Sequence, residues 1–324
     1  MAFTSLLLLS TSLIGFGRPA SLQEMPAGKD HLAVLVAAME CEDFWVSVHA
    51  TEYLIDLGHT ELAEKNCVGH LSTYEEVPQK RIGLWRVQYQ LATGAAEKSR
   101  LLNKLIGAYQ APEGPDRPHA AETLAKLRYC FKALDQQTVL HDREQGGMMG
   151  AFVTWGMAVA CGSQAQDDQA PLMRLLGASA TERRLAAYGL SFLGKPTRQQ
   201  WLKLARVALT EADTETKAYL LGAAYQLYNT DNTADAAIYE QLRTQFFPLA
   251  YSDTKSVRME LCRALASRKD RAGNAILARL AGWQSPITSL PEGEADLATA
   301  NGHPWNIDIR ATAAYALLKY YINE

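Results

Sequence analysis

The sequence predicts an all-α protein, a right-handed α-solenoid of about eight stacked helix pairs. Three observations carry that expectation. First, the phrase His-Ala-x-Glu-x-Leu-x-x-Leu occurs twice, in "HATEYLIDLG" from His49 and in "HAAETLAKLR" from His119. Second, weaker copies recur with a period in the mid-thirties, anchored on Ala50, Arg86 or Val87, Ala120, Thr154, Ala186, Leu221, Leu261 and Ala313, stretching toward the C-terminus. Third, no run of alternating strand residues competes with them. A period of this size means stacked supersecondary units, each burying its apolar face on its neighbours.

Each copy reads as a helix. In the first, Val46, Ala50, Tyr53, Leu54 and Leu57 fall on one stripe of a 3.6-residue period. The later copies are "RIGLWRVQYQLATG" from Arg81, "GAFVTWGMAVACG" from Gly150, "ERRLAAYGLSFLG" from Glu182, "ETKAYLLGAAYQLY" from Glu215, "SVRMELCRALASR" from Ser256 and "DIRATAAYALLKY" from Asp308. A second helix fits between copies at "HLAVLVAAM" from His31, "SRLLNKLIGAY" from Ser99, "PLMRLLGAS" from Pro171, "QQWLKLARVAL" from Gln199, "AIYEQLRTQFFPLA" from Ala237 and "NAILARLAG" from Asn274. Gly58, Gly94, Gly162 and Gly194 sit where the repeated helix should stop in a left-handed cap. A small anchor residue lets neighbouring helix axes approach closely.

Residues 1–20 differ from the rest. Leu6 to Leu9, then Leu13, Ile14 and Phe16, form an apolar run that reads as a signal peptide with cleavage after Gly17, although no positive residue precedes it. The alternative is a buried amphipathic first helix. Residues 21–324 then form a single domain, periplasmic or secreted if the leader is removed and cytoplasmic if it is a helix. The run is too short and too broken for a stable membrane span.

The 324 residues are 48% hydrophobic and 21% charged, enough apolar material for a large folded body. The 35 acids and 32 bases are interspersed, and no Lys/Arg run marks a nucleic-acid surface. Cys41, Cys67, Cys130, Cys161 and Cys262 are odd in number and show no C-x-x-C spacing, so small buried hydrophobes are expected rather than a disulfide framework.

The phrases "ERRLAAYGLSFLG" and "DIRATAAYALLKY" carry a charged first turn, an Ala pair and a leucine-rich end, and in these the chain resembles the HEAT-like repeat family. The wording of "WVSVHATEYLIDLG", "RPHAAETLAKL" and "WNIDIRATAAYALLKY" is also similar to uncharacterised bacterial HEAT-like modules that accompany sugar symporters and sulfatases. The resemblance covers nearly the whole mature chain. It implies a solenoid whose second helices line a concave surface, in a carbohydrate-utilisation setting, and assigns no activity.

His49/Glu52 and His119/Glu122 each share a helix face and could each donate two metal ligands. They lie two repeats apart, so helix spacings of 8–10 Å put them about 20 Å from each other, too far for one metal. HEAT-like hydroxylases that hold two irons carry adjacent His-Glu dipeptides, and this chain has none. No metal or cofactor is therefore expected. The resemblance instead implies a groove lined by Trp45, His49, Glu52, Arg81, Trp85, His119, Glu122, Trp155, Tyr188 and Tyr315. For any single aromatic, and for Trp85 and Trp155 in particular, packing between repeats is the alternative. The long stretch from Trp283 to Trp305, with His303 and Trp305, is a second candidate, and "HDREQGGMMG" from His141 a smaller one. Hydrolase, phosphate-loop, zincin and dinucleotide motifs are absent.

Two functions remain open. One is a non-enzymatic scaffold binding a protein partner or an extended ligand such as a carbohydrate in the concave groove. The other is an all-helical carbohydrate-active lyase or hydrolase, which needs curvature tight enough to bring His49, Glu52, His119, Glu122 and His141 together.

Overall fold

The computed structural model describes residues 26–162, 165–268, 270–282 and 304–322. Among them the chain is all-helical, with no strand. The helices alternate between two series. The even series is α2 (Phe44–Asp56), α4 (Lys80–Leu91), α6 (Arg117–Lys126), α8 (Gly147–Ala158), α10 (Ala180–Leu190), α12 (Thr214–Leu227), α14 (Lys255–Leu265) and α16 (Pro304–Ile322). The odd series is α1 (Pro26–Met39), α3 (Thr60–Gly69), α5 (Ala95–Gln110), α7 (Gln136–Glu144), α9 (Ala170–Leu175), α11 (Arg198–Thr210), α13 (Ala236–Phe246) and α15 (Arg271–Ala281).

Local chemistry starts these helices where they start. Asp43 accepts hydrogen bonds from the backbone N–H groups of Trp45 and Val46, and Asp213 from that of Thr216. Ser179 with Glu182 and Thr197 with Gln200 form reciprocal capping boxes. Each such cap is worth about 1 kcal/mol. Burial does the rest. All eight anchor positions lie on the even helices, and Ala50, Ala120, Ala186, Leu221, Leu261 and Ala313 have no exposed surface.

Each even helix packs against the next, from α2 through α16, and α16 packs against α2, so the succession closes on itself. The odd helices sit outside this ring, most of them bridging two even ones: α5 touches α4 and α6, and α9 touches α8 and α10. The buried hydrophobic residues divide accordingly. One cluster runs from Phe44 round to Leu317, and a separate one, built on Leu35, Ala38, Val46, Ala50, Leu54, Ile307, Ala311 and Leu318, seals the seam where the two ends of the chain meet.

Several expectations change. Helices α3 and α7 occupy intervals in which the apolar pattern showed no second helix, and His141 lies in α7 rather than in a loop. Of the four glycines expected to cap helices, Gly58 alone does so: its N–H bonds to the Ile55 carbonyl and that of His59 to the Leu54 carbonyl, with φ of 84° at Gly58. Gly94 is instead the N-cap of α5, Gly162 follows α8 at a distance, and Gly194 has no positive φ. Cys130 and Cys161 form a disulfide, Cα–Cα 5.2 Å, between the segments that follow α6 and α8. Burial does hold for Cys67 and Cys262. No helix among the described residues is long and apolar enough to cross a membrane. The leader over residues 1–20 and the Trp283–Trp305 stretch up to His303 lie outside the described residues; Trp305 falls in the first turn of α16, its side chain likewise outside them.

Candidate functional site

The ring interior is lined by polar side chains of the even helices, and it brings the two His/Glu pairs together. The expected separation of about 20 Å does not hold. The Trp45 indole at the start of α2 stacks on the His119 imidazole at the start of α6, ring centroids 5.6 Å apart. Helix α4 lies between them and permits this because it carries Gly83, where a Cβ would come within 3.1 Å of the Trp45 ring. One turn further along, Arg86 of α4 links the pairs. Its Nε and Nη2 donate to the two Glu52 oxygens at 2.6 and 2.9 Å, and its Nη1 donates to Thr123 on α6 at 3.3 Å. Gln90 donates to Glu52 as well, at 3.0 Å. Glu122 pairs with Lys126 at 2.7 Å on its own helix.

Beyond this cluster the interior stays narrow. The Tyr188 ring on α10 lies 5.4 Å from Lys126 Nζ of α6 and 5.2 Å from the Arg263 guanidinium of α14. Arg263 is held by Glu260 and donates to Ser191 at 2.8 Å. The Tyr188 hydroxyl and both His119 ring nitrogens make no hydrogen bond within the described residues. At the seam, Asp308 of α16 takes His49 Nδ1 at 3.3 Å and Lys255 Nζ at 2.7 Å, joining residues 259 positions apart. Tyr53 stacks on Tyr315, centroids 4.3 Å apart.

Electrostatics follow from this pairing. Burial alone would raise the Glu52 carboxyl, but the charge and hydrogen bonds of Arg86, with Lys126 and His49 nearby, hold it down at about 2. Glu122 and Asp308 are likewise pushed up by burial and brought below the ordinary range by their partners, Lys126 and Arg86 for the first, the His49 hydrogen bond and Lys255 for the second. His119 is lowered, chiefly by burial against the opposing pull of Glu122, so its ring is neutral at pH 7. Glu260 is raised by burial in spite of Arg263.

Trp45, His49, Glu52, His119, Glu122 and Tyr188 thus meet in the interior, and the remaining expected groove residues do not. Trp155 is 1% exposed, packed on the rings of Tyr188 and Phe192. Trp85 is 8% exposed and turned toward α5, its indole N–H donating to Glu75 at 2.9 Å under the Lys104 ammonium. Arg81 is bound to Asp116, Nε to Oδ2 2.7 Å. Packing between helices accounts for all three. His141 hydrogen-bonds Gln145 on the outside at 2.8 Å. Conversely, Arg86, Lys126, Lys255, Asp308 and Arg263 were not singled out by the sequence, although an arginine at an anchor where the other copies carry Ala, Leu or Thr was a visible anomaly. Among the described residues no group of three or more His, Cys, Asp or Glu is arranged to hold a metal. No protein-family profile, curated protein or solved structure matches the chain.

Proposed function

We propose that this is a non-enzymatic HEAT-like binding protein, a right-handed solenoid of eight helix pairs drawn into a ring, which holds the end of an extended ligand at the Trp45–His119 mouth of its interior. The HEAT-like assignment rests on the repeated phrases and on the regular alternation of inner and outer helices. A glycan chain is the ligand class that the lining favours. A stacked indole and imidazole offer a platform for a sugar face, and the adjacent Arg86, Glu52, Glu122 and Lys126 offer fixed donors and acceptors for hydroxyl groups. The crossing of Lys126 and Arg263 over Tyr188 leaves no room for a helix of a partner protein to thread the ring, which supports a slender ligand.

The ion pairing of the interior carboxylates supports binding over catalysis by a carboxyl pair. An acid–base catalyst needs a group poised near the working pH. Glu52 at about 2 and Glu122 below its ordinary value are both clamped by cations, and Glu260, though raised, is buried and doubly bound by Arg263. Export is supported by the Cys130–Cys161 disulfide, which suits an oxidising compartment. The test is a tryptophan-fluorescence titration with neutral and acidic oligosaccharides, then peptides, of the wild type and Trp45→Ala. Saturable glycan binding without new reducing ends, weakened about tenfold or more by loss of the indole platform, is expected. Release of reducing ends would establish the lyase or hydrolase instead, and peptide binding alone would replace the glycan.

A further inference from the structure

A cavity of about 370 Å³ opens between α7, α8, α9 and α10, and neither Trp45 nor His119 lines it. Its size falls within the range of about 300–1,000 Å³ usual for small-molecule sites. Two arginines stand at its rim. The guanidinium of Arg174, in the last turn of α9, has no ion pair or hydrogen bond within the described residues, and that of Arg143, at the end of α7, meets only the exposed Glu144, at 4.0 Å. Gly150 brings Arg143 into place: a Cβ there would lie 2.8 Å from the Arg143 carbonyl oxygen, so only glycine lets the end of α7 close down on α8.

The floor supplies a second, independent observation. Thr154 is 5% exposed and lines the cavity, yet its hydroxyl has no hydrogen-bond partner within the described residues. That hydroxyl is open to the cavity and can meet a ligand there. The one carboxylate in the lining does not fill that role. Glu182 spends one oxygen on the Gly147 N–H at 3.1 Å and the other on the Ser179 N–H and hydroxyl, at 3.1 and 2.6 Å. Helix α8 starts beside the cavity at Gly146, and the Glu182 carboxylate is spent on capping that helix start. The opposite wall is apolar, formed by Met157 and Leu175.

We propose that this cavity is a binding site for a small amphipathic anion, a carboxylate or sulfonate on an apolar body. The anionic head lies between Arg143 and Arg174 and accepts a hydrogen bond from the Thr154 hydroxyl; the body lies against Met157 and Leu175. Two charge-assisted contacts and one buried hydroxyl then fix its orientation.

The probe is 8-anilinonaphthalene-1-sulfonate, with its uncharged relative N-phenyl-1-naphthylamine as control, titrated into the full chain. The sulfonate should bind at one saturable site with enhanced fluorescence, more tightly than the uncharged probe. The double variant Arg143→Ala, Arg174→Ala should weaken it about tenfold or more while changing the uncharged probe less than about twofold. Both arginines are exposed, so this variant keeps its fold, checked by an unchanged melting curve. Thr154→Val preserves shape and should weaken the sulfonate about threefold; if that variant does not fold, the arginine pair decides. Equal sulfonate affinity in wild type and double variant, or equal affinity for the two probes, would overturn the site.

Discussion

The two copies of the opening phrase, His49–Gly58 and His119–Arg128, share residue types and register yet live in different chemical surroundings. In the first, His49 reaches across the seam to Asp308, and Glu52 reaches forward to Arg86. In the second, His119 lies flat on Trp45 with its nitrogens unbonded among the described residues, and Glu122 turns to Lys126 one turn below. The repeat therefore encodes where a side chain stands on the inner face. What it meets there is set by residues outside the phrase, in other copies or at the far end of the chain. One phrase can thus stand on two helices of a fold and meet different partners on each.

Arg86 offers the sharpest way to break the comparison, because it binds the carboxylate of the first phrase but only the Thr123 hydroxyl of the second. Replacing it by Met leaves Glu52 with Gln90 as its remaining hydrogen-bond donor, and losing one partner of a buried ion pair costs about 3–5 kcal/mol. Lys126→Met removes the partner of Glu122, but the Lys126 side chain is 21% exposed against 6% for Arg86, and Arg86 still faces the carboxylate, so a smaller loss is expected. Denaturant unfolding of the two variants checks the order. Equal losses would mean that the phrases are equivalent after all.

Acidity separates the phrases next. The folded Glu52 pKa of about 2 lies below its ordinary 4.5, so its stabilisation is complete above pH 4.5 and disappears as pH falls through 2. The amount is about 3 kcal/mol, absent in Glu52→Gln. His119 is a base with a lowered pKa, so the folded state favours the neutral ring. Its contribution is complete above pH 6.5 and is lost as pH falls below 6.5 toward the folded value. Melting temperature against pH should therefore show a shallow decline starting just below 6.5, reduced in His119→Gln, and a steeper one below 4.5, reduced in Glu52→Gln. His31 and His59 are lowered in the same direction, so the first slope shrinks without vanishing.

How much of this the sequence carried follows from what kind of residue did the work. Helices whose buried face is aliphatic were legible: Ala50, Leu54, Ala120 and Leu124 mark α2 and α6 by spacing alone. Helices α3 and α7 were not, because their buried faces are partly polar. α3 buries Ala63, Asn66 and Cys67, and α7 buries Val139 with Asp142, which is held by Arg117 at 2.6 Å. The convergence of the two His/Glu pairs was illegible for another reason. It depends on how far each helix is displaced from its neighbours, and a single absent Cβ, at Gly83, brings Trp45 onto His119. The disulfide was hidden by the odd count, since Cys130 and Cys161 stand 31 residues apart, close to the repeat length.

The smallest difference between the phrases lies at their last residue. Gly58 and Arg128 occupy the same register, nine positions after the histidine, and both adopt the left-handed conformation, φ 84° and 58°. The hydrogen bonds match: Gly58 and His59 bond back to Ile55 and Leu54, as Arg128 and Tyr129 bond back to Ala125 and Leu124. Nothing lies within 4 Å of a Cβ built on Gly58, so Gly58→Ala tests the backbone penalty alone, and a loss of about 1–2 kcal/mol is expected. Arg128 already bears that penalty and offsets part of it with Asp167 at 2.7 Å and the Phe192 carbonyl at 3.2 Å. Those two interactions are half-exposed and together worth about 1 kcal/mol. Arg128→Gly should therefore leave stability within about 1 kcal/mol of the wild type, because relief of the backbone strain nearly balances removal of the ion pair and hydrogen bond. A loss larger than that of Gly58→Ala would show that Arg128 fastens the end of α6 to the Asp167 segment and is more than a tolerated substitute for glycine.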